Sequence, residues 1–529
     1  MKALFIIILY CIVNYGLFGQ NQNISEGNVF DGEPYLVVNP LNSEHLVVAW
    51  MGFIPLKYIS IKTKASFDGG LSWSKMVPIE HTNPVFGSAD PSLAFDSKGN
   101  LFLCYIDYDK GIDSGSVYVR KSVDGGLSWE KPVEVINIHS DPGKKPVDRP
   151  WINIDKSGGE NDGNIYITTM PPSVFGPLTP PYHPYFIRST DGGASFGEWK
   201  YIDTDSPGWL SGSIITQPAP FSTVSNNGVF HCVYPSWVFT QNINPQYIFA
   251  SSLNGGDNFT YSAIEMPFDL IKGNDSLAKK GYPLISNPAD GNHLIFFHLI
   301  MPYGDSDVFM WESFDGGKTW SDSIRVNDDP VENNRMQDLI WADFDLDGDL
   351  VVSWRDRRNG DDSLYSTHSE IWGAVRKKDS VIFSPNFRIS EKKIAYDSVL
   401  AMSGNDFMCI ALRNDTINAV WGDPRNGRLN IWFQRMGLDG SVLSIHEISS
   451  EESPEVSVYP NPLISSIIVE GRCLEKVVIL NGEGKVLLER DEINSKSKID
   501  IDMNNISSGV YFVRVVTGMG VVVRKVIKN

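Results

Sequence analysis

The chain has 529 residues, with 45 Lys and Arg against 64 Asp and Glu for a formal net charge of −19. A hydrophobic fraction of 42%, 12% aromatic residues and a mean hydropathy of −0.16 describe a globular protein and exclude a disordered or polybasic interaction chain. So acidic a surface also opposes non-specific nucleic-acid binding and docking on anionic lipid, which both need a cationic face.

At the N-terminus, Lys2, the apolar run Ala3–Val13 and Gly16-Leu-Phe-Gly19 read as a signal peptide over residues 1–19, cleaved before Gln20. The run is shorter than the ~20 residues of a membrane span. No later segment is apolar for long enough, so the mature chain is expected to be exported and to have no transmembrane segment. Cys11 leaves with the signal; Cys104, Cys232 and Cys409 lie in apolar strand-like runs, and Cys473 lies near the C-terminus. So few cysteines, without a C-x-x-C spacing for zinc, predict buried free thiols.

Residues 24–450 carry two superimposed repeats. The first is a turn: Ser66-Phe-Asp-Gly-Gly-Leu-Ser-Trp73, Ser122-Val-Asp-Gly-Gly-Leu-Ser-Trp129, Ser189-Thr-Asp-Gly-Gly-Ala-Ser-Phe196, Ser252-Leu-Asn-Gly-Gly-Asp-Asn-Phe259 and Ser313-Phe-Asp-Gly-Gly-Lys-Thr-Trp320. Asp-Gly is a strong hairpin signal because the turn needs positive φ, and the Asp side chain can bond its own turn. These turns are identified as the Asp-boxes of BNR-repeat proteins, similar to sialidases and related β-propellers. The second repeat is an extended segment, a polar turn and an apolar strand, as in Pro34–Asn39 with His45–Trp50 and Pro91–Asp96 with Asn100–Tyr105; it recurs seven times. Four strands per repeat is a propeller blade. The expected fold is therefore all-β, with a propeller of seven blades, or six if one is lost at the ends.

In such blades the short A–B turns and the Asp-boxes share one end, and the long loops share the other, where function resides on a rigid scaffold. Just before the innermost strands stand Glu33, Asp90, Asp148 with Arg149, Gln217, Tyr282, and Gln337 with Asp338. At the ends of second strands come Trp354-Arg-Asp-Arg-Arg358 and Trp421-Gly-Asp-Pro-Arg425, with Asp107 and Asp109 in the second repeat. Arginines can clamp an anion bidentately and paired acids can cleave glycosides; the same pairs can equally tie the structure together. Glu33, Asp90 and Asp148 are the acid–base candidates. The resemblance to sialidases implies a Tyr nucleophile and three arginines, for which topology offers Tyr282 and Arg149, Arg335 and Arg357, with Arg425 as a further ligand candidate. It also implies a Phe-Arg-Ile-Pro motif, but the near match, Phe387-Arg-Ile-Ser390, falls late, on a fourth strand. Trp209, Trp237 and the rings of the Pro171–Phe186 loop either stack on sugars or pack the loops down.

No cofactor is expected; Asp343-x-Asp345-x-Asp347-Gly348-Asp349 resembles a calcium loop but has Trp354 where an EF-hand needs Glu, and reads as a turn. From residue 454 to 529 short alternating runs predict a small β-sandwich. Tyr459-Pro-Asn-Pro462, Gly509-Val-Tyr-Phe-Val-Arg514 and Arg524-Lys-Val-Ile-Lys528 make this segment similar to the C-terminal sorting domain of the type IX secretion system of Bacteroidota. That resemblance implies Sec export to the periplasm, passage through the type IX machinery, and a secreted or outer-membrane surface location. Two functions are expected: a sialidase-like enzyme acting on glycan or glycoprotein, or a non-catalytic propeller that binds glycan or protein.

Overall fold

Each Asp-box closes on itself through its own side chains in the computed structural model. In the first, Ser66 Oγ donates to Asp68 Oδ1 at 2.8 Å, and the Ser72 backbone N–H donates to the same oxygen at 2.8 Å. The Gly70 N–H donates to Ser66 Oγ at 2.8 Å. The pattern recurs at Asp124, Asp191 and Asp315, and Asn254 reproduces it in the fourth box. The following aromatic reaches beyond its own hairpin. It wedges against the preceding sheet: Trp129 Nε1 donates to Thr63 Oγ1 at 3.1 Å, and the Trp320 ring lies 4.1 Å from that of Phe249. Gly70 (φ 86°) shows the closeness of the fit, since a Cβ there would stand 2.4 Å from the Phe433 ring.

The structure describes residues 21–55, 57–172, 178–203, 208–271, 281–396, 405–443, 456–471, 474–481, 486–490, 497–517 and 520–529. The signal segment, Cys11, Phe175 and Cys473 lie outside these. Among the described residues, 21–442 hold seven antiparallel four-stranded sheets. Their innermost strands are Asp31–Asn39, Gly87–Phe95, Asp148–Ile154, Phe221–Val224, Leu284–Ser286, Gln337–Phe344 and Cys409–Arg413. Each lies beside the innermost strands of its two neighbours, and Cys409–Arg413 touches both Gln337–Phe344 and Asp31–Asn39, so the sheets form a closed ring. The outer strand of the last sheet is supplied by the N-terminus: Gln22 pairs with Phe433 and Asn23 with Trp432. The second strands are buried on both faces, which explains their unbroken apolar runs such as Leu101–Ile106. Cys104, Cys232 and Cys409 are buried free thiols.

The second unit, described by itself, is a sandwich. A sheet of Ser457–Tyr459, Ser466–Glu470 and Lys498–Asp502 and a sheet of Val486–Arg490, Leu474–Asn481, Gly509–Thr517 and Gly520–Lys528 enclose Leu463, Ile467, Val477, Met503, Val513 and Val526. Asn461 anchors its turn by donating to Lys525 O and accepting from the Ile527 N–H, both at 2.9 Å. Among the described residues no helix is long and apolar enough to cross a membrane.

Hydrogen bonds from Ser195 hold the Asp191 carboxyl down at about 2. A lowered folded-state value means its stabilisation is present above the unfolded range and is lost as pH falls toward that value. Asp191→Ala is therefore expected to lower the thermal midpoint at pH 6, with a gap that narrows toward pH 2; a gap independent of pH contradicts the role of the ionised carboxylate.

Candidate functional site

Four innermost strands begin with the same irregularity. Register slips between Gly32 and Tyr35, Ala89 and Ser92, Asp148 and Trp151, and Asp338 and Trp341. Inside each bulge one residue takes a positive φ: Glu33 at 55°, Asp90 at 53°, Arg149 at 46° and Leu339 at 61°. Such backbone costs about 1–3 kcal/mol per residue and bulges re-aim side chains. Here they bring Glu33, Asp90 and Arg149, from three consecutive sheets, into one cluster at the long-loop mouth.

The Asp90 carboxylate lies near both Glu33 and Asp148 and repels the charge of each. Asp90 Oδ2 also accepts the Arg149 backbone N–H at 3.2 Å, and Gln217 Nε2 donates to Asp148 Oδ2 at 2.8 Å. Arg149 Nη2 meets Asp406 Oδ2 at 2.5 Å, and the Asp406 N–H donates to Glu33 Oε1 at 3.4 Å. Four acids thus surround one guanidinium. Burial raises the Glu33 carboxyl well above its ordinary range, with the charges of Asp90 and Asp406 adding to it. Asp148 is raised by burial and then by Asp90, against the opposing pull of Arg149. The Tyr108 phenol is raised by burial and by Asp90, Asp148 and Glu33, which places it beside the cluster.

Sequence reasoning leaves Tyr108 and Asp406 out of the site. Asp406 could be found from its place just before the innermost strand of the last repeat. Tyr108, at the end of the second strand Leu101–Tyr108, carries no such signal.

Beneath the cluster is a cavity of about 40 Å³ lined by Arg149, Tyr282, Asp406 and the rings of Trp151, Phe221 and Trp341. These rings form a plug across the channel with Tyr35 and Phe407: Trp151 lies 5.1 Å from Phe221, 5.8 Å from Trp341 and 5.5 Å from Phe407, and Tyr35 lies 5.5 Å from Trp341. Beyond the plug a second cavity of about 540 Å³ extends to the A–B turns.

Several expected ligands are engaged elsewhere. Tyr282 directs its hydroxyl to Ala219 O at 2.9 Å, and burial raises the phenol, so it is not an activated nucleophile. Arg335 donates to Asp362 O on the loop of its own sheet and does not line the mouth cavity. Arg357 is buried against Asp338 at 3.1 Å, which Arg355 also holds at 2.5 Å. Arg425 is held by Asp423 at 2.5 Å and lies 4.3 Å over Trp432. Arg358 repeats that geometry on Asp356 at 2.9 Å, lying 4.1 Å over Trp372. The Trp-x-Asp-x-Arg motif is therefore a structural clasp: Trp354 Nε1 and Trp421 Nε1 donate to the same aspartates at 2.7 and 3.3 Å.

Neither tryptophan reaches the mouth. Trp209 stacks 5.6 Å from Tyr261, and Trp237 stands at the rim, 5.3 Å from Phe239 and 4.9 Å from Phe268. Tyr185 and Phe186 are core residues rather than loop platforms. Arg388, from the Phe387-Arg-Ile-Ser390 segment, pairs with Glu370 at 3.0 Å on the outermost strand of its sheet. The acidic turn spreads its carboxylates apart: Asp343 faces Arg413, Asp345 takes the Asn414 and Asp415 N–H groups, and Asp347 and Asp349 take Lys378 and Lys377.

No curated protein matches the chain in sequence. Among solved structures, an α-L-arabinofuranosidase of Fusarium graminearum is similar at 14% identity and a TM-score of 0.43, over 80% of this chain and 99% of that one. The NanB sialidase of Streptococcus pneumoniae is similar at 15% identity and a TM-score of 0.39, over 80% of this chain and 71% of that one. A protein of unknown function from Dyadobacter fermentans is similar at 14% identity and a TM-score of 0.40, over 68% and 98%. Residues 457–529 match the family model of the secretion system C-terminal sorting domain. The closed ring of four-stranded sheets is a β-propeller, and it is followed by a secretion system C-terminal sorting domain.

Proposed function

We propose that the mouth cluster is an acid–base site acting on glycan outside the cell, most naturally at the surface of a Bacteroidota bacterium that exports the chain through its type IX machinery. The observation that carries this reading is the run Glu33–Asp90–Asp148 beside the Arg149–Asp406 pair, in which buried Glu33 and half-buried Asp148 are raised well above the ordinary carboxyl range. A carboxyl kept protonated near neutral pH is what a leaving glycosidic oxygen needs. Asp148 therefore acts as the general acid, and Asp406 is the opposing carboxylate. A sialic acid would meet four acids and a guanidinium that is already paired, so the reacting sugar is neutral.

A non-catalytic propeller that binds glycan or protein is the second reading. The rim group of Trp237, Phe239 and Phe268, with Phe239 66% and Ile243 79% exposed, favours it.

The test is release of reducing ends from a panel of neutral polysaccharides by the chain from residue 20 onward. Asp148→Asn is expected to lower turnover by about 10²–10⁴-fold, and the wild-type rate to fall as pH rises and the acid ionises. Glu33→Gln is expected to lower turnover and yet raise the thermal midpoint at pH 8. A raised carboxyl stabilises the fold below its unfolded value and weakens it as pH rises. Undiminished turnover in both variants contradicts the proposal, and binding without cleavage in the wild type selects the second reading. Arg425→Ala, which leaves the buried Asp423 unpaired, should cost about 3–5 kcal/mol of stability and leave turnover of the folded protein unchanged; a raised KM with full stability would restore it as a ligand residue.

A further inference from the structure

The cavity of about 540 Å³ on the Asp-box side of the aromatic plug is not part of the mouth site, and its walls have a different chemistry. Lys156 and Arg413 both line it, together with the hydroxyls of Ser222, Thr223 and Ser286 and the amide of Asn153. Lys156 is reached by solvent inside the channel, yet among the described residues its amine has no hydrogen-bond or ion-pair partner. Arg413 spends Nη1 on Asp343 at 2.9 Å and Phe344 O at 2.8 Å. No described residue accepts from its Nη2.

Two cations, Lys156 and Arg413, and one carboxylate, Asp343, therefore line one channel in a chain whose net charge is −19. Burial, and then the nearby Arg413, draw the Lys156 amine down to about 8, while Asp343 and Asp96 oppose the shift. Asp343 is already paired with Arg413. Asp96 is held in its own turn by the Lys98 and Asn100 N–H groups at 2.9 and 2.8 Å. An anion between Lys156 and Arg413 would relieve their repulsion, and in this enclosed space it would be screened less than at an open surface. The volume exceeds that of an inorganic ion, and the surrounding hydroxyl and amide groups, which bond one another between neighbouring sheets, offer their remaining acceptor sites to a polyol.

We propose that this inner channel binds a hydroxylated organic acid of sugar size, a sugar acid, with Lys156 and Arg413 on its carboxylate and the Asn153, Ser222, Thr223 and Ser286 groups near its hydroxyls. The site is separate from the acid cluster and independent of its chemistry.

Calorimetric titration of the full mature chain with galacturonate, galactose and inorganic phosphate tests this. Galacturonate is expected to bind at pH 6.5, at least tenfold tighter than galactose or phosphate, and at least tenfold weaker at pH 9, where the Lys156 amine is neutral. Lys156→Gln should abolish the preference for galacturonate over galactose. It should also leave the ligand-free thermal midpoint equal to or above that of the wild type, a direction that loss of a structural lysine would not give. Asp148→Asn should leave galacturonate binding intact. Equal binding of galactose, phosphate binding as tight as that of the sugar acid, or full galacturonate binding by Lys156→Gln would each overturn the proposal.

Discussion

A propeller sheet cannot bury both of its faces alone; each needs the sheet on either side, and the series ends only if the last meets the first. Here the first sheet meets the last through the innermost strands Asp31–Asn39 and Cys409–Arg413, and two further contacts secure the closure. Gln22 and Asn23 complete the last sheet beside Phe433 and Trp432, and the first Asp-box presses Trp73 against Phe433 at 5.2 Å. Closure makes the innermost strands converge, so residues hundreds of positions apart, such as Glu33 and Asp406, become neighbours at the axis. The clasps of Asp356 with Arg358 and Asp423 with Arg425 then hold the ends of the last two sheets.

Convergence has an electrostatic consequence. Acids brought together at the mouth lose water faster than they gain positive partners. Burial and neighbouring like charge both oppose ionisation, so Glu33 and Asp148 are raised well above the ordinary carboxyl range. Left-handed backbone at Glu33, Asp90 and Arg149 holds that arrangement against its own cost. The aromatic plug beneath separates this proton-rich mouth from an inner channel of opposite character, lined by Lys156 and Arg413. One ring thus carries two chemically distinct ends.

The repeat pattern made the architecture legible, because an Asp-box is a local device. Its Ser, Asp and Gly bond within seven residues, and spacing alone reveals it. The acid candidates were legible for a related reason: Glu33, Asp90 and Asp148 share a place just before an innermost strand, and closure turns a shared place into proximity. The arginines were not legible, since charge and position do not say which carboxylate a guanidinium will meet. Arg357 and Arg425 stand just past the ends of second strands beside Asp338 and Asp423, and those partners hold them first. Tyr282 shows the same limit at a finer scale, where a single hydroxyl finds the Ala219 carbonyl instead of a carboxylate base.

The retained protons are the feature on which the mouth chemistry depends, and infrared spectroscopy reads them without a substrate. At pH 7 the protein should show a carboxylic-acid C=O stretch that shifts on deuteration and shrinks in both Glu33→Gln and Asp148→Asn. A spectrum with carboxylate bands alone at that pH, or an acid band unchanged in both variants, would contradict the proposed acid site.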